Sequence, residues 1–306
     1  MSKTDTEEKP RILAIGAHPD DCDLKAGGCA ILWAQAGCAV RFVSVTNGDA
    51  GHQEQSGKEL ADRRRAEAKA AGKVAGIEYQ VLENSDGKLV PGLEERWELL
   101  RLMRDFQPDL ILTHRPNDYH PDHRYTSQLV QDCSYLVGVP NICPDAPRLE
   151  KAPVIAYFSD DFQKPLPFEP DVAVDIDSVM DTKIRMLDCH ESQFYEWLPW
   201  IDRHGIEMPA DPDRRLEALA RFARSFSRPS EKARDFLKRH YGDGRGCAVV
   251  NAESFEACEY GAEMDGDAIR RLFPIPRYRA ISERPQQYGL MGARKSSARS
   301  LIRAPR

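Results

Sequence analysis

The chain has 306 residues, 41% hydrophobic and 30% charged, the balance of an ordinary globular protein that buries its core without covalent staples. A net charge of -6 and a pI near 5.8 supply no basic field, which excludes a general affinity for nucleic acid or an anionic membrane. No apolar run reaches membrane-spanning length, the start has no secretory pattern, and the eight cysteines form no C-x-x-C pair, so reduced thiols, a cytoplasmic location and no membrane insertion are expected.

In chain order, the apolar run 11–17 reads as a buried strand that delivers a loop at its carboxyl end. Residues 26–37, small and apolar with a terminal Gly37, suit a helix packed closely on a sheet. Strand 40–46, a charged amphipathic helix 59–76 and strand 78–83 follow. The alternation continues with helix 93–106, strand 108–113, helix 125–137, strand 153–158, strand 171–176 and helix 179–190. Strands alternating with helices imply right-handed crossovers and an α/β fold, a mainly parallel sheet with helices on both faces. Beyond Trp200 the pattern weakens into an α-rich extension, with helices over 214–226 and 230–241 and a short strand within 246–260. Residues 292–306 are basic and read as a tail.

Two clusters carry chemistry. His18, Pro19, Asp20 and Asp21 follow the first strand directly, and the fourth strand runs into His114, Asp118, Tyr119, His120, Pro121, Asp122 and His123. In a doubly wound sheet the first strand and the strand after the crossover are commonly neighbours at the topological switch point, so the two loops are expected to face each other. His18 and Asp21 are three apart, as are His120 and His123, a spacing that projects side chains from one face of a helical turn. Two histidines with one carboxylate and an open position make a catalytic zinc arrangement, whose bound water has its pKa lowered toward about 7. Asp20, beside a ligand but free of the metal, is placed to act as general base. His120 then protonates the leaving amine or stabilises the oxyanion, and Asp122 orients that imidazole.

Bland readings compete with these. Asp20 and Asp21 suit a helix cap, an isolated H-x-x-H is commonly exposed loop, Asp49 belongs to an ordinary turn, Arg64 reads as a solvated helix charge, and His190 can satisfy the last carbonyls of its helix. His114 reads as structural. The aromatic cluster Phe194, Tyr195, Trp197 and Trp200 is read as core or subunit contact before sugar platform. No G-x-G-x-x-G follows the first strand, which disfavours a dinucleotide.

The A-H-P-D-D loop at 17–21, the T-N-G-D motif at 46–49 and the H-P-D-H loop at 120–123 resemble the LmbE-like (PIG-L) zinc de-N-acetylases over residues 11–193. The resemblance implies a Rossmann-like fold and hydrolysis of the N-acetyl group of an N-acetylglucosamine-type sugar or glycoside. It implies His18, Asp21 and His123 as metal ligands, Asp20 as base and His120 as acid. The stretch His190 to Gln193 resembles the family's H-x-S-Q, and Arg64 with Glu67 resembles its R-x-x-E. Arg64, Asp49, His190 and Gln193 are accordingly expected near the substrate. Two departures are Cys22 after the aspartate pair and Lys25 ahead of the glycine pair Gly27 and Gly28. The expected organisation is a deacetylase domain over 1–200, an extension over 201–291 packed on it and the tail from 292. The expected partners are one Zn2+ per chain (Fe2+ being the alternative in the cell), a small amino-sugar substrate and a second copy in a homo-oligomer.

Overall fold

The structure is a computed structural model that describes residues 9–201, 209 and 211–276; the basic tail expected over 292–306 lies outside the described residues. Seven strands, β1 (Arg11–Gly16), β2 (Ala39–Thr46), β3 (Glu78–Asn84), β4 (Leu110–Thr113), β5 (Val154–Phe158), β6 (Val172–Asp175) and β7 (Ala252–Ala257), form one sheet in the order β3-β2-β1-β4-β5-β7-β6. The first five pair in parallel, whereas β7 runs antiparallel to both of its neighbours.

Successive strand residues point to opposite faces. Ile12, Ala14, Phe42, Leu110 and Leu112 join one core cluster, while Leu13, Ile15, Val43 and Ile111 join the other. Helices α3 (Leu93–Phe106) and α4 (Pro121–Leu136) cover the second face. Helices α1 (Asp21–Gln35), α2 (Gly57–Ala75), α5 (Met180–Asp188), α7 (Pro212–Phe226) and α8 (Glu231–Tyr241) cover the first. A π-helical turn (Ser192–Trp197) leads into the short α6 (Leu198–Ile201), and α9 (Asp243–Ala248) precedes β7. Among the described residues no helix is long and apolar enough to cross a membrane.

Three departures from the sequence pattern bear on the site. Helix α1 begins at Asp21, five residues before the apolar stretch that signals it, because Asp21 and Asp23 fill its first turn and complement the dipole. Helix α4 begins at Pro121 rather than Tyr125: His120 is its N-cap, and the proline at the first helical position gives up no hydrogen bond. Third, β7 from the late segment inserts between β5 and β6 instead of lying outside the sheet.

A buried ion pair fixes that insertion. Glu253 on β7 accepts the Gly28 and Cys29 N–H groups at 2.8 and 2.7 Å, while Lys183 on α5 donates to the Leu24 carbonyl at 2.9 Å and to Glu253 at 2.8 Å. The Gly28 N–H and the Leu24 carbonyl are partners in an ordinary α-helix, so the pair reaches into the ladder of the helix that carries Asp21. Gly28 is required by close approach: a Cβ there would lie 2.8 Å from Ile176.

Candidate metal centre

Strands β1 and β4 are hydrogen-bonded neighbours, so the loops at their carboxyl ends face each other above the switch point. There His18 Nδ1 lies 3.2 Å from His123 Nε2 and 3.5 Å from Asp21 Oδ2, and His123 Nε2 lies 3.4 Å from Asp21 Oδ1. Zinc bonds of about 2.0–2.1 Å at tetrahedral angles separate their donors by about 3.3 Å, close to these spacings, with Asp21 meeting the two rings through different oxygens; His120 with His18 and His123, and His114 with Asp21 and His123, gather closely enough to hold an ion as well.

The other ring nitrogens fit as well. His123 Nδ1 is 3.0 Å from Asp118 Oδ1, and His18 Nε2 is 3.2 Å from Asp86 Oδ1 and 3.4 Å from Asp122 Oδ2. Ligating imidazoles characteristically direct the remaining N–H at a carboxylate, which fixes ring and tautomer. The site therefore gathers Asp20, Asp21, Asp86, Asp118 and Asp122 near the Arg64 guanidinium, a run of carboxylates that a divalent cation matches. The same carboxylates act on His18: burial depresses its pKa, but its bonds to Asp122, Asp21 and Asp86 outweigh that and the net shift is upward.

Asp21 does not cap its helix in the usual forward direction. Its Oδ2 accepts the Ala17 and His18 N–H groups at 3.0 and 2.7 Å and lies 3.1 Å from His114 Nε2. His114 also stacks on His123 at 4.0 Å between ring centroids. Burial and the neighbouring His123 push the His114 pKa down to about 4, keeping it neutral.

Asp20 makes no side-chain capping bond. Its Oδ2 lies 3.4 Å from Arg64 Nη2, and burial raises its pKa against the opposing pull of Arg64, with Asp21 raising it further. Arg64, expected as a solvated charge, is 2% exposed and passes over Gly48, whose carbonyl accepts from Nη1 at 3.4 Å. Gly48 has φ +71°, and a Cβ there would meet the guanidinium at 2.4 Å, which is a physical reason for glycine in the T-N-G-D motif.

His120 Nδ1 accepts the Asp122 N–H at 3.2 Å, and its ring is 4.6 Å from that of His18, edge-on. The Asp122 carboxylate, expected to orient His120, lies against His18 instead, because helix α4 starting at Pro121 turns that side chain inward. Burial and the nearby His18 and His123 lower the His120 pKa.

A cavity of about 670 Å3 opens over the cluster, lined by His18, Asp20, Asp21, Arg64, His120, His123 and Gln193 among others. Gln193 donates to the Gly51 carbonyl at 3.1 Å. Asp49 and His190 lie behind this wall. Asp49 accepts from Ser85 Oγ at 2.8 Å and from the Asp86 N–H at 2.9 Å, and so positions Asp86; His190, fully buried, contacts Asp23 at 3.1 Å. Residues that the sequence reading passed over are Asp86 and, in any role at the site, His114. Both stand at or just past strand carboxyl ends, the one signal that marked them.

The family model described as GlcNAc-PI de-N-acetylase matches residues 13–134. A diacetylchitobiose deacetylase of Thermococcus kodakarensis is 31% identical over 206 residues, 62% of this chain and 74% of that protein. A 4-oxalmesaconate hydratase of Pseudomonas putida is 26% identical over 193 residues, 60% of this chain and 74% of that protein. Among solved structures, an N,N'-diacetylchitobiose deacetylase from Pyrococcus horikoshii shares the fold with a TM-score of 0.62 at 24% identity, over 83% of this chain and 85% of that one.

Proposed function

The chain belongs to the PIG-L, or LmbE-like, de-N-acetylase family, and from that membership we propose that it is a zinc-dependent hydrolase removing the N-acetyl group from an N-acetylglucosamine-type sugar or glycoside. The observation that carries the reading is the spacing of 3.2–3.5 Å between the His18 and His123 rings and the two Asp21 oxygens, beside a half-buried carboxylate, Asp20, whose side chain makes no capping bond. Zinc held by those three residues supplies a Lewis acid and a water of lowered pKa.

The remaining roles fall to the chain's own groups. Asp20, held by Arg64, takes the proton of the attacking water. His120 accepts a backbone N–H at Nδ1, so its neutral form carries the proton on Nε2 and hydrogen-bonds the developing oxyanion, while the proton that Asp20 takes from the water passes on to the leaving amine. Asp118, Asp86 and Asp122 hold the two ligand rings. A binding protein without catalysis has no use for a poised base and acid.

The hydratase relative favours a second reading, addition of water to an unsaturated acid at the same centre. The cavity wall argues against it: Asp20, Asp21, Asp86, Asp118, Asp160 and Asp161 face Lys25 and Arg64, a field that repels a polycarboxylate.

The test is zinc content of the purified protein and of His123→Ala, with acetate release from methyl N-acetylglucosaminide on the same samples. One zinc per chain, lost in the variant, with acetate release from the loaded protein alone, supports the reading. Zinc without acetate moves it to another acyl group, and failure to bind zinc under replete conditions refutes it.

A further inference from the structure

We infer that Lys25 sets the length of substrate that the site accepts: its side chain closes the catalytic cavity off from a second, hydroxyl-lined cavity, and shortening it admits longer amino-sugar chains. The inference rests on the deacetylase reading above and assigns a specificity-determining residue to it.

Two cavities lie side by side. The first, of about 670 Å3, contains the His and Asp cluster; the second, of about 350 Å3, is lined by none of the metal-site residues. Lys25, Asp160, Asp161 and Phe226 line both, and so form the wall between them. Beyond that wall the second cavity is polar, with Ser159, Ser225, Ser230 and Ser254 beside Arg228 and one further ring, Phe168. Hydroxyls and charged groups at hydrogen-bonding reach, with rings for the C–H faces, are what a further sugar unit requires.

Lys25 is the member of the wall that reaches across it. It follows Asp21 by one helical turn, about 6 Å along the axis of α1, and projects from the same face of that helix. Its neighbour Leu24 lines the first cavity alone, whereas Ser159, whose carbonyl accepts from the Lys25 ammonium at 2.7 Å, lines the second alone. The ammonium also sits 4.4 Å over the Phe226 ring. The side chain therefore spans from α1 to the end of β5 and to α7, with its methylene stem lying along the partition. Asp160 is held independently: it accepts from Arg115 Nη1 at 2.9 Å and from the Phe162 N–H at 3.1 Å, so the loop after β5 keeps its place when Lys25 is shortened. Lys25 is one of the two positions at which this chain departs from the pattern it resembles, which makes the partition a property of this chain and not of the fold.

The experiment measures acetate release from the di- and tetrasaccharide of N-acetylglucosamine by the zinc-loaded protein, Lys25→Ala and Lys25→Arg. The readout is the tetramer-to-dimer ratio of kcat/KM. Comparing that ratio between proteins cancels the different numbers of acetyl groups, and a folding defect that lowers both rates alike leaves it intact. Lys25→Ala is expected to raise the ratio about fivefold or more, because it removes a clash that only the longer chain meets. Lys25→Arg keeps a long stem and a donor, and is expected to stay within about twofold of the wild-type ratio. A ratio that Lys25→Ala leaves unchanged or lowers, or that Lys25→Arg raises as far, overturns the inference. If no protein releases acetate from either sugar, the deacetylase reading fails, and calorimetry with the same sugars decides the partition. Tetramer binding that tightens relative to the dimer in Lys25→Ala alone upholds it; the same preference in all three proteins, or binding by none, overturns it.

Discussion

The carboxylate of Asp122, carried on the first turn of α4, sits 3.4 Å from Nε2 of His18, carried on the loop after β1. The same oxygen accepts the Gly87 N–H at 2.7 Å, so one buried side chain ties together the loops that follow β1, β3 and β4. A carboxylate on the far nitrogen of a ligating imidazole orients the ring and raises its basicity. Asp122→Asn is therefore expected to weaken zinc binding by about 10- to 100-fold, read by competition with a chelator. Unchanged affinity would remove Asp122 from the metal centre.

Arg64 supplies the guanidinium beside Asp20, at 3.4 Å, and approaches Asp86 at 3.9 Å. Arg64→Ala leaves both carboxylates without that cation. The expected result is a fall in kcat/KM on the order of a hundredfold, with zinc content retained. Loss of zinc in step with activity would instead make Arg64 a support of the metal loop.

The Lys183–Glu253 pair is 1% and 3% exposed, and removing one partner of such a pair leaves an uncompensated buried charge. Glu253→Ala is expected to lower unfolding stability by about 3–5 kcal/mol. Urea denaturation measures it. A loss below about 1 kcal/mol would mean that α1 holds its shape without the pair.

The π-helical turn is latched by Arg63, whose two terminal nitrogens donate to the two Glu196 oxygens at 2.7 Å each, and His52 adds a contact at 2.7 Å. The Arg63 bond chiefly, and His52 after it, hold the Glu196 carboxyl below its ordinary value despite partial burial. A depressed carboxyl contributes stability above its unfolded pKa of about 4.3, and the contribution is lost as pH falls through the lower folded value. Glu196→Gln is thus expected to flatten the decline of the melting temperature below about pH 5. A parallel decline in both proteins would show that the latch carries no linked proton.

Strands β1, β2 and β4 were legible because each is an apolar run followed by helical spacing, and the half-polar β3 because it continues the alternation. That His18, Asp21 and His123 meet was legible because both of their motifs stand at strand ends that the topology brings together. The start of α1 was not, since its first residue, Asp21, is a carboxylate turned back onto the preceding loop, and apolar periodicity begins only at Ala26. Asp86 hid in Ser85-Asp86-Gly87, which reads as a plain turn, and the bonds that Ser85 and Asp86 donate to Asp49, with the one that Gly87 donates to Asp122, aim that loop inward. Arg64 looks solvated in any helix pattern; its burial follows from the space above Gly48, a long-range fact. The place of β7 is equally non-local, since nothing within 252–257 names β5 and β6 as its neighbours.

The most direct test of the central claim is acetate release by zinc-loaded Asp20→Asn beside the wild-type protein. A neutral amide keeps the size of the side chain and its place near Arg64 but takes no proton. One zinc per chain is expected in both proteins, with a rate lowered by about 10²- to 10⁴-fold in the variant. Full activity with zinc retained would contradict Asp20 as the base and with it the mechanism proposed for this site.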